Sequence, residues 1–294
     1  MDETRTRRSR RQNQKRTAPA KDKDSSEEHG ITQQEVKEVE ERSSPRTPVI
    51  YEIVRRMGDE EMERPVTSLW WSGVAAGLSI SFSLLSQAVL QEHLPQQSWT
   101  LLVSSLGYSV GFVMVVLARQ QLFTENTVTA VLPVVAEFSG ANFWRLSRLW
   151  SVVLVANLVG TLFAAAFASF TPVLTPEIYG AMLEISRHLL GQGWWALAFK
   201  GVGAGFLIAT MVWLLPSAAT AQLFVVILMT WLIAAGEFAH IIAGSVEAFL
   251  LAINGDASWG WAIGGFIVPV LIGNIVGGTA LFALLSYAQV MNEI

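Results

Sequence analysis

Charge is partitioned along this chain. Residues 1–69 carry 15 of the 20 Lys and Arg and 15 of the 24 Asp and Glu. The 225 residues that follow keep 5 basic and 9 acidic side chains, and with them the whole net charge of −4. All 11 Trp also lie beyond residue 69. A water-soluble domain needs a charged surface. A long charge-poor stretch with apolar runs near 20 residues instead reads as an all-α, polytopic membrane protein. The near-neutral balance excludes a nucleic-acid partner. The absence of cysteine excludes disulfides and thiolate metal sites, and no other metal or cofactor site is expected.

The charged segment divides in two. Residues 1–48 mix both signs with few apolar side chains. Such a chain cannot bury enough surface to offset its entropy, which predicts a disordered cytoplasmic tail. Its basic start runs into more charge, not into an apolar stretch, so no signal peptide is expected. Residues 49–68 predict an amphipathic helix, with Ile50, Ile53, Val54 and Met57 on one face and Glu52, Arg55 and Arg56 opposite. That helix could lie on the membrane surface, on the channel domain or on a second copy.

Residues 69–294 form the expected channel domain. Unbroken apolar runs cover Leu69–Leu90, Leu149–Phe170, Trp194–Leu215 and Ala262–Ala288. Two others are interrupted, the first at Arg119-Gln120-Gln121 and the second from Gly236 to His240. Counting each interrupted pair as one element gives six transmembrane spans, with spans 2 and 5 broken. Eighteen basic residues then fall on the side of the termini and Arg187 alone on the other, with Lys200 inside a span. This asymmetry places both termini in the cytoplasm.

The chain also repeats itself. The stretch from Gly73 to Leu78 resembles Gly201 to Phe206, and Asn157 to Ala164 resembles Asn274 to Ala283. Each half holds three spans, and an odd number turns the second half upside-down. Inverted repeats with a broken helix in each half characterise channels and secondary transporters. The pairs Gly73/Gly77, Gly201/Gly205 and Gly273/Gly277 let helices approach closely.

A charge at mid-bilayer costs at least ~2.5–3.5 kcal/mol, so ionisable residues there need water or a partner. Glu137 is expected to reach water, and Glu247 to make an interhelical contact. His240 falls inside the second break, where irregular backbone is tolerated only in protein or along a cavity. It is the first candidate for the pore lining. Thr124 is the matching residue of the first break, so a hydroxyl would face an imidazole across a narrow lumen. Glu237 stands three residues before His240, and one helical turn would pair them; otherwise Glu237 faces Lys200 or water.

These residues resemble the formate/nitrite transporter family, in an inner-membrane branch, over residues 50–290. The carriers are Leu122-Phe123-Thr124, Phe199-Lys200-Gly201, Phe238-Ala239-His240 and the run from Gly273 to Gly278. The resemblance implies an aquaporin-like protomer in a homopentamer of a bacterial inner membrane, each protomer with its own pore. It implies passage of small monovalent anions such as formate, nitrite, lactate or hydrosulfide. Thr124 then matches the threonine of the span-2 loop, with Leu122 and Phe123 beside it. His240, beside Phe238, matches the central histidine. Asn274 matches the span-6 asparagine, and Lys200 the basic residue of the vestibule. The chain departs from the family at Ala239 and Gly244, where glutamate and asparagine are common, at Gly205, where asparagine is common, and at Glu125, where a small hydroxyl residue is common.

A basic vestibule would attract a weak-acid anion, and a proton from the histidine region would let it cross as the neutral acid. A neutral-solute channel and a non-transporting scaffold are the alternatives. An enzyme is not expected, since one span histidine without cysteine or an HExxH pattern supplies no catalytic cluster.

Overall fold

The computed structural model describes residues 45–293, together with residues 32, 34 and 35. The expected disordered tail over 1–48 falls almost wholly outside the described residues. Everything regular from residue 45 onward is helical.

Helix α1 spans Thr47–Glu63, opening with Pro48 in its first turn, a position where the missing N–H costs nothing. It buries Tyr51, Val54, Gly58 and Met62. The expected apolar face is therefore rotated, with Ile53 and Met57 left exposed. The cause is Gly58. A Cβ there would collide with the carbonyl of Thr129, so only glycine lets α1 settle this closely on the helices that follow. It packs on several of them. Its outer side carries Arg55 bonded to Glu52 and Asp59, and Arg56 bonded to Glu52. The Arg55 and Arg56 hydrogen bonds hold the Glu52 carboxyl down at about 2.

Pro65 then starts α2, Val66–Ile80, which continues after Ser81 as α3, Phe82–His93. Next come α4, Thr100–Leu117, and two short helices, α5, Phe123–Thr129, and α6, Val131–Ala136. The long α7, Gly140–Phe170, starts at Ser139, whose hydroxyl accepts the Asn142 N–H. Helix α8, Pro176–Arg187, is capped by Thr175. It is an amphipathic element that the sequence reading did not mark. Helix α9, Trp194–Leu214, leads to the pair α10, Gln222–Ala235, and α11, Ile241–Asn254. The last rod runs from Trp261 to Val290. It holds α12, Val268–Ile275, and α13, Leu284–Val290, with wider π-helical turns at Trp261–Ile267 and Val276–Ala283.

Among the described residues, five helices are long and apolar enough to cross a membrane. They are Val66–His93, Thr100–Leu117, Gly140–Phe170, Trp194–Ser217 and Trp261–Val290. The apolar helices α10 and α11 have 14 residues each, too short to span singly. Glycine contacts knit the bundle. A Cβ on Gly77 would strike the Asn157 carbonyl, and one on Gly160 the Val74 carbonyl, so α2 and α7 cross backbone to backbone. Gly205 and Gly277 bring α9 and the last rod together in the same way, each position blocked by a facing carbonyl.

Candidate permeation site

Two helices stop in mid-bundle, and they stop alike. Arg119 and Glu237, at φ 51° and 53°, are the only non-glycine residues with positive φ among the described residues. Both follow a helix end and turn the chain sharply. In the first break Arg119 N–H bonds Val116 O and Gln120 N–H bonds Val115 O; in the second, Glu237 N–H bonds Ala234 O and Phe238 N–H bonds Ile233 O.

A broken helix leaves backbone groups without partners, which is costly away from water. One buried asparagine repairs each break. Asn157 accepts the Phe123 N–H on Oδ1 at 2.9 Å and donates from Nδ2 to Gly73 O and Gln121 O, both at 2.8 Å. Asn274 accepts the Ile241 N–H at 2.9 Å and donates to Gly201 O and Ala239 O, both at 2.9 Å. Each amide thus joins the half-helix start, the loop before it and a neighbouring glycine-bearing helix. Asn157 belongs with Asn274 in the site, although only Asn274 was singled out. Its signal was the Asn-x-x-Gly shared by both halves.

This scheme aligns Leu122 with His240, and Thr124 with Ile242. Thr124 is therefore not the repeat counterpart of His240, as its place in the loop suggested. It nevertheless touches the ring, with Thr124 Oγ1 and His240 Nε2 2.7 Å apart. His240 Nδ1 accepts the Ala243 N–H at 3.2 Å and so caps α11. With Nδ1 an acceptor, the hydrogen sits on Nε2 and is donated to Thr124, which makes the ring a neutral imidazole. Phe112 meets it edge-on with centroids 5.0 Å apart. Thr124, Leu122, Phe123 and His240 are all buried. Trp150 backs Phe123, and its indole N–H bonds Asn126 O. Phe112 and Trp150 carry no sequence mark that separates them from other aromatic residues of the spans.

On the side away from α1, a cavity of about 270 Å³ reaches inward to His240 under a wall that includes α8. Glu237 lines it but does not meet His240. Its positive φ turns it outward, where it pairs with Lys200 Nζ at 3.2 Å and His188 Nε2 at 3.3 Å. The expected Glu237–His240 pair is absent. The expected basic vestibule is not formed. Glu184, Glu237 and Glu247 line the cavity, while Lys200 is held by Glu237. Phe238 lies in the wall, its ring filling space that a Cβ on Gly203 or Gly236 would take, at 2.5 and 2.8 Å. At Gly244 a Cβ would collide with the Phe266 ring, so an asparagine there has no room.

On the α1 side the site holds further carboxyls. Glu61 Oε2, Gln120 Oε1 and Glu125 Oε1 are buried without a partner among the described residues. Burial pushes the Glu61 carboxyl above its ordinary range, against smaller opposing effects of Gln121 and Arg64. Gln121 also receives a bond from Asn126 Nδ2 at 3.2 Å. No cluster of three His, Cys, Asp or Glu that could hold a metal occurs among the described residues.

A model of the formate/nitrite transporter family matches residues 48–288, nearly all of the chain described above. The chain belongs to this family. It is 44% identical over 254 residues to the inner membrane protein YfdC of Escherichia coli, covering 86% of this chain and 82% of that protein. It is 26% identical to the formate channel FocA of Haemophilus influenzae, covering 74% and 84%. Among solved structures it resembles a pentameric formate channel with formate bound, at TM-score 0.65 and 25% identity, covering 77% of this chain and 98% of that one. The chain is thus an anion channel or transporter by family, and not an enzyme.

Proposed function

We propose that this protein carries small monovalent anions, formate or nitrite among them, across a bacterial inner membrane, with a proton accompanying each anion. The observation that carries this reading is the buried Thr124–His240 pair, set between two asparagine-braced helix breaks and fed by a cavity. A small anion such as formate has an acid form with a pKa near ~4, and only that neutral form passes a dry constriction cheaply. The pair offers one hydroxyl and one imidazole, enough to orient a small polar solute and too little to solvate a charge.

The architecture proposed is six spans in two inverted three-helix repeats, counting α4 with α5 and α6 as span 2 and α10 with α11 as span 5. The recurring break geometry and asparagine braces support it. Residues 49–68 serve as a docked collar and residues 69–294 as the aquaporin-like channel domain, with both termini cytoplasmic. Five copies, each with its own pore, follow the assembly named for the formate channel that this chain resembles. Leu122, Phe123 and Phe238 form the apolar walls on either side of Thr124 and His240. Lys200 and Glu237 govern the mouth. Asn274 and Asn157 hold the frame.

Proteoliposome uptake of labelled formate and nitrite, with and without an inward proton gradient, tests the reading. Gradient-driven uptake is the expected result. The carboxyl-lined vestibule favours a second reading, a channel for neutral solutes. Osmotic swelling of the same liposomes with no anion uptake would establish that instead.

A further inference from the structure

The vestibule holds one carboxyl that the architecture leaves uncommitted. Glu247 lies on α11, two turns past His240, and lines the same cavity. It makes no hydrogen bond or ion pair among the described residues. The other titratable groups of that cavity wall are engaged or lie outward. Glu237 is bonded to Lys200 and His188. Glu184 is on the exposed side of α8. His240 spends Nδ1 on capping α11 and Nε2 on Thr124, so binding a second proton would expel the Ala243 N–H from its acceptor. Tyr108 is a buried phenol on α4 facing the same space. Helix α3 adds Gln87 and Gln91 to the wall and the last rod adds Phe266, none titratable, while α2 and α7 add no wall residue.

We propose that Glu247 is the group that hands the accompanying proton to the anion, a role that rests on the anion-transport reading above. An anion entering from the vestibule side takes the proton from the Glu247 carboxyl onto its own oxygen. It becomes the neutral acid and moves on past His240 and Thr124, leaving Glu247 as the carboxylate. A hydronium ion from the water at the mouth reprotonates Glu247, and the neutral acid gives up its proton to water on the far side, so one proton and one anion cross per cycle and charge balances. An ionised Glu247 meanwhile repels further anions, which keeps the bare anion from following. His240 in this scheme orients the acid through its Nε2–H and never changes charge.

The test is the pH profile of formate uptake by the parent, Glu247→Gln and Glu247→Asp in proteoliposomes, on protein of confirmed assembly. Proton-gradient-driven uptake should fall at least about a hundredfold in Glu247→Gln, the low end of the usual range for loss of a positioned acid, and return in Glu247→Asp. In parallel, dicyclohexylcarbodiimide, which labels protonated carboxyls in apolar surroundings, should modify Glu247 of the parent, with flux lost in step with the label. This second arm stands if Glu247→Gln fails to assemble. A Glu247→Gln protein with the parent's pH profile, or full labelling of Glu247 with flux intact, overturns the role of Glu247 alone. A parent that carries neither formate nor nitrite overturns the anion reading, and the proton role with it.

Discussion

Thr124 and His240 lie 116 residues apart in the chain and meet at 2.7 Å in the middle of the bundle. Neither belongs to a continuous helix through the membrane. Each is held at the start of a short helix whose first N–H groups are served by side chains, and the contact joins those two helix starts.

Replacing His240 separates its two duties. His240→Asn retains a side chain able to cap α11 and should keep native assembly, whereas His240→Ala loses the cap at about 0.5–2 kcal/mol. If the imidazole orients the permeating acid, both variants lose most formate flux, and native mass spectrometry still finds pentamers. Flux equal to the parent in His240→Asn would make the ring a cap and nothing more.

Thr124→Val removes one hydroxyl from this pair and should weaken flux by a few-fold to about tenfold, matching the usual 0.5–1.5 kcal/mol of a neutral hydrogen bond. Initial rates of labelled formate uptake measure it.

The asparagine braces predict a stability effect. Asn274→Leu leaves the Ile241 N–H and the carbonyls of Gly201 and Ala239 unpaired in the bundle, and each buried orphan costs about 1–3 kcal/mol. Thermal unfolding in detergent should drop sharply, and Asn157→Leu should drop similarly because it makes the same three bonds. A large loss for one and none for the other would show that the two breaks are not equivalent.

At the mouth, Lys200→Ala releases Glu237 toward the vestibule and makes it more acidic. Formate uptake at low ionic strength should fall, and added salt should restore part of it by screening. Glu237→Gln in the same background should reverse the loss.

Docking of α1 should depend on pH through Glu61, whose carboxyl is raised by burial. A raised carboxyl contributes stability that is complete below its unfolded value and fades as pH rises through its folded value. Cleavage of α1 by an added protease should therefore increase toward alkaline pH, and Glu61→Gln should flatten the profile. Gly58→Leu should expose α1 at every pH, since the Thr129 carbonyl occupies the space a side chain would need.

Much of this was legible in the sequence because polar side chains interrupt apolar runs only where the backbone has another means of satisfaction. Arg119-Gln120-Gln121 and the segment from Gly236 to His240 marked the breaks, while the Asn-x-x-Gly shared by both halves read as a repeat and not as a brace. Local spacing failed where the backbone leaves the helical region. The three-residue separation of Glu237 and His240 implied a turn of helix, but φ 53° at Glu237 sends the carboxylate to Lys200. The rotated face of α1 was hidden for a different reason, since Gly58 contributes nothing to an apolar pattern and yet decides which side can approach. The α8 cover was missed because its length and mixed polarity carry no membrane signal.

The braces at Asn157 and Asn274 grip only main-chain atoms of the breaks they repair. The side chain of Leu122 carries no part of that grip. Most of the frame is thus independent of the side chains that meet at Thr124 and His240, with His240 the exception, since its Nδ1 also caps α11. Leu122, by contrast, can be exchanged without disturbing either brace.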